Sequence, residues 1–434
     1  MDQHQHQQQY HTNDDDNSEL EITCSAPGKL ILFGEHAVVY GKNAIATSLS
    51  DLRTTITLKA KLSNTIHSHH DYNTIDQQQH QQQHTHHEHT QHQVNQLNQL
   101  NQLVEEKNDT LINFYAPSIG FIDNIKIPYS KILTLFTIKQ LNELYHIKNN
   151  TLQDIKQVEQ HLYKPDKEIV EKLVTLTKSI LLEKEIGTSV AAIEYNKIIS
   201  IVSVLYLCLI FYNPLNCKHQ FEYINIDLSN TTLPIGAGLG SSAAFSVCLV
   251  SSLLILFNRI NYHSIQFNHQ SINNINNNNL NDTNDSTNNL NDINNNLNNN
   301  LNDNNLNKNE TNENVLKYIN EWSYFVESLI HGTPSGIDNS VSTFGGVISF
   351  SQGKIQEFLS PQILPNMRIL IVNTRVERNT KLIVQGVRER RENNFEFYEK
   401  CLNDIQNISD EYLNQLKINS SHLFSIKIKN GRIN

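Results

Sequence analysis

"LPIGAGLGSSAAF", Leu233–Phe245, places glycines at every second position, 236, 238 and 240, and follows them with two serines and two alanines. A flexible surface turn would account for such a stretch. So would an anion cradle, because glycines let backbone N–H groups approach a phosphate and a following helix aims its positive end at it. Two common templates fail. No Lys follows as a P-loop requires, and the third glycine comes one position early for a dinucleotide fingerprint. The flanks inform the choice. "FEYINIDLSN" before it alternates like a strand, and "SAAFSVCLVSSLLILF", Ser242–Phe257, is a long apolar helix pattern. Ser241 and Ser242 stand at the N-terminus of that helix, where a hydroxyl can cap it or ligate Mg²⁺.

Outward from this unit the chain divides into globular and low-complexity sequence. Residues 1–18 are rich in Gln, His and Asp, residues 66–108 in His and Gln, and residues 268–314 in Asn. Such tracts bury too little apolar surface to offset chain entropy, so disorder is expected for all three. The clustered imidazoles of His84, His86, His87 and His89 suit a repeat tract better than a metal site. Without the tracts, about 330 residues remain, a two-domain length.

The 434 residues carry a net charge of −10 with no basic block, which argues against a nucleic-acid or anionic-membrane surface. The five cysteines, Cys24, Cys208, Cys217, Cys248 and Cys401, are scattered and form no metal-like pair, so a reducing, cytoplasmic setting is expected. The polar N-terminus has no secretory signal of the usual form. The most apolar run, Ile198–Tyr212, falls short of the roughly 20 residues a bilayer span needs, and is expected as a buried helix.

Strands are expected at Leu20–Ser25, ending at Pro27-Gly28, then through "KLILF" and "AIATSLSDLRTTITLKAKL". Helices are expected at 137–162, 165–183, 194–212 and 315–330, and "HGTPSGIDN" as a turn-rich loop followed by strand and turn. "MRILIVNT", residues 367–374, is expected as a buried strand, with helices to about residue 416.

Individual side chains are ambiguous. Asp338 in a Gly/Pro-rich loop suits a turn former as well as a base. Glu327 is a helical carboxylate with largely apolar neighbours, and Lys29 lies between a turn and an apolar run. In combination, a lysine, a carboxylate base, a carboxylate metal ligand and a glycine cradle are the parts of phosphoryl transfer.

Three stretches, "SAPGKLILFGEHAVVYGK", "LPIGAGLGSSAAFSV" and "HGTPSGIDNSVSTFGG", resemble the successive motifs of the GHMP small-molecule kinases. The "GEHAVV" continuation resembles the branch whose substrate is mevalonate, and differs from galactokinase-like and diphosphomevalonate-decarboxylase-like forms. The resemblance spans about residues 20–60 and 110–400. It implies an α+β fold of two domains: a ribosomal-protein-S5-like α/β domain over 19–360, with disordered insertions at 66–108 and 268–314, and an incomplete ferredoxin-like domain over 361–434. Gly236, Ala237, Gly238, Leu239, Gly240, Ser241 and Ser242 would wrap the phosphates of ATP, with Lys29, Thr231 and Ser118 as further nucleotide contacts. Ser242 and Glu327 would hold Mg²⁺. Asp338 would be the general base, Lys29 its catalytic neighbour, and Glu35 and His36 would line the substrate side. A homodimer is implied, with ATP and mevalonate as partners.

One motif of the family is missing. Its third glycine run has no counterpart, since Gly386 and Gly431 are the only glycines after residue 360. The expectation is a C-terminally truncated, poorly soluble chain. Another GHMP kinase, or a non-catalytic nucleotide-binding relative, remains an alternative.

Overall fold

β1 (Glu19–Phe33) and β2 (Ala44–Leu62) form a long antiparallel ribbon, the first part of a computed structural model. The model describes residues 19–63, 109–119, 121–147, 164–184, 195–212, 220–260, 312–352, 354–359, 369–372 and 380–429. The three low-complexity tracts therefore lie outside the described residues, apart from 312–314 at the end of the third. β1 does not stop at Pro27-Gly28 as expected. The strand continues, and the ribbon absorbs the interruption as a register shift between Pro27 and Gly28. A proline is tolerated there because, among the described strands, β1 pairs only with β2, so its outer edge needs no proline N–H.

β3 (Leu111–Ala116), β4 (Phe121–Pro128), β5 (Phe221–Asp227), β6 (Val347–Ser351) and β7 (Lys354–Leu359) complete the sheet. Its order is β4-β3-β5-β2-β6-β7, with β1 on β2. β3 and β5 are parallel, and the other described pairings are antiparallel. β2 alternates as its sequence suggests, with Ile56, Leu58 and Ala60 fully buried and polar residues between them.

The helices are α1 (Tyr129–Leu133), α2 (Ile138–Ile147), α3 (Lys167–Lys184), α4 (Tyr195–Phe211), α5 (Ser241–Leu256), α6 (Asn312–His331), α7 (Ile337–Phe344), α8 (Thr380–Asn393) and α9 (Phe395–Lys429). α4 and α5 are apolar on nearly every face because both lie inside the main core. Trp322 of α6 is buried there, with its ring edge-on to Phe211 at 4.9 Å between centroids.

Two further expectations change. Ile337–Phe344 is a helix rather than a loop leading into strand. Ile337 and Val341 lie four apart on one helical face, and that face is buried against Ala46, Ile348 and Phe350 of the sheet. In "MRILIVNT", the described residues Ile369–Val372 form no strand and are exposed, Leu370 by 89%. Period-2 apolarity makes a strand only where a partner edge is available, and no described strand pairs with this segment.

Candidate active site

The glycine loop is anchored by its leucines and open at its glycines. Leu233 and Leu239 are buried, whereas Gly236 and Gly238 are exposed. Gly236, Gly238 and Gly240 have φ of 72°, 76° and 74°; the only described non-glycine residues with positive φ are Asn258 and Gln352. The loop therefore alternates left-handed glycines with residues of negative φ, and a turn with left-handed residues can gather N–H groups into a concavity for anions. A Cβ on Gly236 or Gly238 would meet nothing within 4 Å, while one on Gly240 would lie 2.6 Å from Lys29 Cγ. The first two glycines face open space and the third makes room for the lysine.

β1 supplies that lysine. The Lys29 N–H donates to the Leu239 carbonyl at 2.8 Å, so loop and strand are tied at this residue. Its side chain is 9% exposed, and Nζ lies 3.0 Å from Asp338 Oδ1. Asp338 sits in the first turn of α7, after Gly336 at φ 84°, where the positive helix end favours a carboxylate. The neighbouring Asn339 is buried and donates from Nδ2 to Asn320 Oδ1 at 2.8 Å. That bond pins α7 to α6 and fixes where Asp338 stands.

Behind this pair lies Glu327 of α6, 2% exposed. Ser246 Oγ donates to its Oε1 at 3.1 Å, and Ser242 Oγ lies 3.4 Å from its Oε2. Ser242 is also 3.1 Å from His331 Nε2. Of the two roles open to the serines, the cap is not made: Gly240 is the N-cap of α5, with no side-chain cap bond, and the Ser242 hydroxyl is turned to the α6 residues. Burial, aided by the charge of Asp338, pushes the Glu327 carboxyl up to about 7, against the two serine bonds and the more distant Lys29. Burial also lowers the His331 imidazole, partly offset by Asp338. Desolvation raises the thiols of Cys208 and Cys248, Cys208 to about 12, so neither offers a thiolate nucleophile.

A buried carboxylate beside a serine hydroxyl, with a second carboxylate nearby and one lysine, is short of positive charge. Among the described residues no group of three His, Cys, Asp or Glu could hold a metal alone. The donor set fits Mg²⁺ all the same, because that ion usually takes one or two carboxylates and fills its remaining positions with phosphate oxygens and water.

The remaining expected residues stand apart from this cluster. Ser118 is exposed in the 3-10 turn Pro117–Ile119, and Thr231 Oγ1 donates locally to the Leu228 carbonyl at 3.3 Å. They follow the C-terminal ends of the parallel neighbours β3 and β5, so both emerge at one end of the sheet. Glu35 is exposed and His36 precedes the 3-10 turn Ala37–Tyr40. No described hydrogen bond or ion pair joins either side chain to the Lys29–Asp338 pair. Sequence reasoning did not single out Ser246, His331 or Asn339. The helical spacing was the available signal, since His331 follows Glu327 by four residues and Ser246 follows Ser242 by four.

Residues 205–279 match the GHMP kinases N terminal domain. The matched segment contains the glycine cradle and Ser242. Among the relatives the chain matches are mevalonate kinases. It is 30% identical over 371 residues to the mevalonate kinase of Homo sapiens, covering 85% of this chain and 63% of that protein. It is 27% identical over 399 residues to that of Dictyostelium discoideum, covering 92% and 70%. The chain thus spans a little under two thirds of the human relative's length. A solved Methanococcus jannaschii mevalonate kinase aligns at 16% identity and a TM-score of 0.40, over 94% of this chain and 80% of that one.

Proposed function

We propose that the chain is an ATP- and Mg²⁺-dependent kinase that phosphorylates the primary hydroxyl of (R)-mevalonate to 5-phosphomevalonate, a step toward isoprenoid and sterol precursors. The observation that carries this reading is the ion pair of Lys29 and Asp338, 3.0 Å apart, beside a buried carboxylate and beneath an open glycine cradle. Mevalonate is favoured over other alcohols by the mevalonate kinases among the relatives and by the Glu35–Val39 continuation.

In this reading the backbone of 236–242 holds the phosphates, with Thr231 and Ser118 nearer the nucleoside, and Glu35 and His36 face the acceptor. Asp338 takes the proton of the acceptor hydroxyl. That oxygen bonds the γ-phosphorus while the bond from the γ-phosphorus to its bridging oxygen breaks, and ADP leaves. Lys29 neutralises charge on the transferred group. Ser242 and Glu327 would hold Mg²⁺, which supplies charge neutralisation for the β- and γ-phosphate oxygens when bound. The domain division is proposed near residue 360. A cytoplasmic setting is proposed from the free thiols among the described cysteines; no described helix is long and apolar enough to cross a membrane. The homodimer rests on the family resemblance alone.

A coupled ADP-release assay with mevalonate, phosphomevalonate, galactose and homoserine tests the reading. Turnover with mevalonate alone is expected. Comparable turnover with galactose or homoserine, or none with any acceptor, would overturn it.

A further inference from the structure

His331 has no assigned part in the reaction, yet it touches both residues given to the cation. It ends α6, one helical turn beyond Glu327, so the two share a face. Its Nε2 lies 3.1 Å from Ser242 Oγ and 3.8 Å from Glu327 Oε2. Its side chain is 52% exposed, so packing does not explain its placement.

Counting hydrogens resolves this triangle. A serine hydroxyl has one hydrogen and two lone pairs, and an ionised carboxylate only accepts. If Ser242 donated to the imidazole, Glu327 Oε2 would lose that donor inside a nearly water-free site, where an unpaired charge is expensive. With Glu327 ionised, as a bound cation would keep it, the arrangement that gives these three groups partners has Nε2–H donating to Ser242 Oγ and the Ser242 hydroxyl donating to Glu327 Oε2. One lone pair of Oγ then remains. We infer that His331 is a positioning residue: by holding Ser242 Oγ it fixes the hydroxyl rotor and leaves one oxygen lone pair for the divalent cation that accompanies the nucleotide. This rests on the functional reading above, and it extends to residue 331 a role that reading does not include. Groups standing behind a metal ligand set its orientation, and their loss typically weakens metal binding by about 10–100-fold.

The test is Mg²⁺-dependent ATP binding by calorimetry in the full chain, without acceptor, so that no turnover is needed. Three variants are compared with wild type. His331→Leu removes the donor. His331→Gln keeps an amide N–H at about the reach of Nε2. His331→Asn stays polar but is too short. His331→Leu and His331→Asn should raise the Mg²⁺ concentration for half-maximal ATP binding by roughly tenfold or more, with His331→Gln returning most of the loss. Melting temperatures without metal should be alike, since residue 331 is half-exposed. Should His331→Leu melt early, the Asn and Gln pair still decides the matter. Wild-type Mg²⁺ dependence in both Leu and Asn variants, or an equal loss in all three, would overturn the inference alone. A wild-type chain with no Mg²⁺-dependent ATP binding would overturn the functional reading and this inference with it.

Discussion

The body of sheet and helices over 19–359 and the helical pair over 380–429 are held in different ways. In the body, α4, α5 and α6 share one large apolar core with the sheet, and the residues of the candidate site project from its elements. Among the described side chains, the helical pair touches the body through few apolar groups. Leu413 and Leu416 pack with Ile45, Val347 and Leu359, and Tyr412 meets the Phe33 ring at 5.1 Å. The other ties are polar. The Asn43 backbone N–H donates to Gln406 Oε1 at 2.8 Å, and its Nδ2 donates to Asp410 Oδ1 at 3.0 Å. Lys417 pairs with Glu357 at 2.8 Å, and Arg391 lies between the Tyr40 and Phe395 rings while binding Glu399. A region with few buried apolar contacts opens more readily than a core. The chemistry is therefore built into the stable part of the molecule, and α9 braces the 3-10 turn after Glu35 and His36 from outside.

This contrast can be broken by experiment. Trp322→Ala should cost the most, about 3–5 kcal/mol of unfolding free energy, because a buried indole leaves a large cavity. Urea denaturation that moved by less than 1 kcal/mol would show the core to be looser than its packing. Next is the pH dependence of stability in cation-free buffer. Glu327 is raised from 4.5 to about 7 by burial, so the folded chain binds a proton there that the unfolded chain has released. Stability from this residue is then lost as pH rises through that window, by about 3 kcal/mol at most. Glu327→Gln should abolish that decline, and an unchanged slope would place the carboxylate in water.

Asp338→Asn keeps the shape and removes the base. Turnover should fall by about 10²-fold or more, while ATP affinity stays nearly constant. Near-normal turnover would take Asp338 out of the mechanism. The smallest global effect belongs to Leu416→Ala. Its local cost is about 2 kcal/mol, at the lower end for a buried leucine, and hydrogen exchange should speed up along the described part of α9 while α5 amides stay protected. Equal acceleration in both helices would merge the two regions into one cooperative unit.

Local sequence carried most of the candidate site because its parts are locally encoded. Alternating glycines between a strand pattern and an apolar run suit a cradle that opens a helix. An acid after Pro334 and Gly336, and a carboxylate among apolar neighbours on α6, were visible as candidates. The geometry was not. Lys29 and Asp338 are separated by most of the chain and meet because β1 and α7 pack on the same ribbon. The Ser242 hydroxyl suited a cap equally well until α6 offered it Glu327 and His331. Asn339 has no signal beside Asp338 until Asn320 is found across the helix interface.

Sequence by itself determined the elements whose stability is local: the strand pattern of β2, the buried helices α4 and α5, and the glycine loop that opens α5. Tertiary structure alone decided that β1 runs through Pro27, that Ile337–Phe344 coils into a helix, and that Ile369–Val372 stays exposed. In each case the backbone choice depends on a partner: an unneeded outer edge for Pro27, an apolar sheet face for Ile337 and Val341, and for Ile369–Val372 a strand edge that no described residue supplies. Periodicity states which residues want burial, but only the packed chain supplies the surface that buries them.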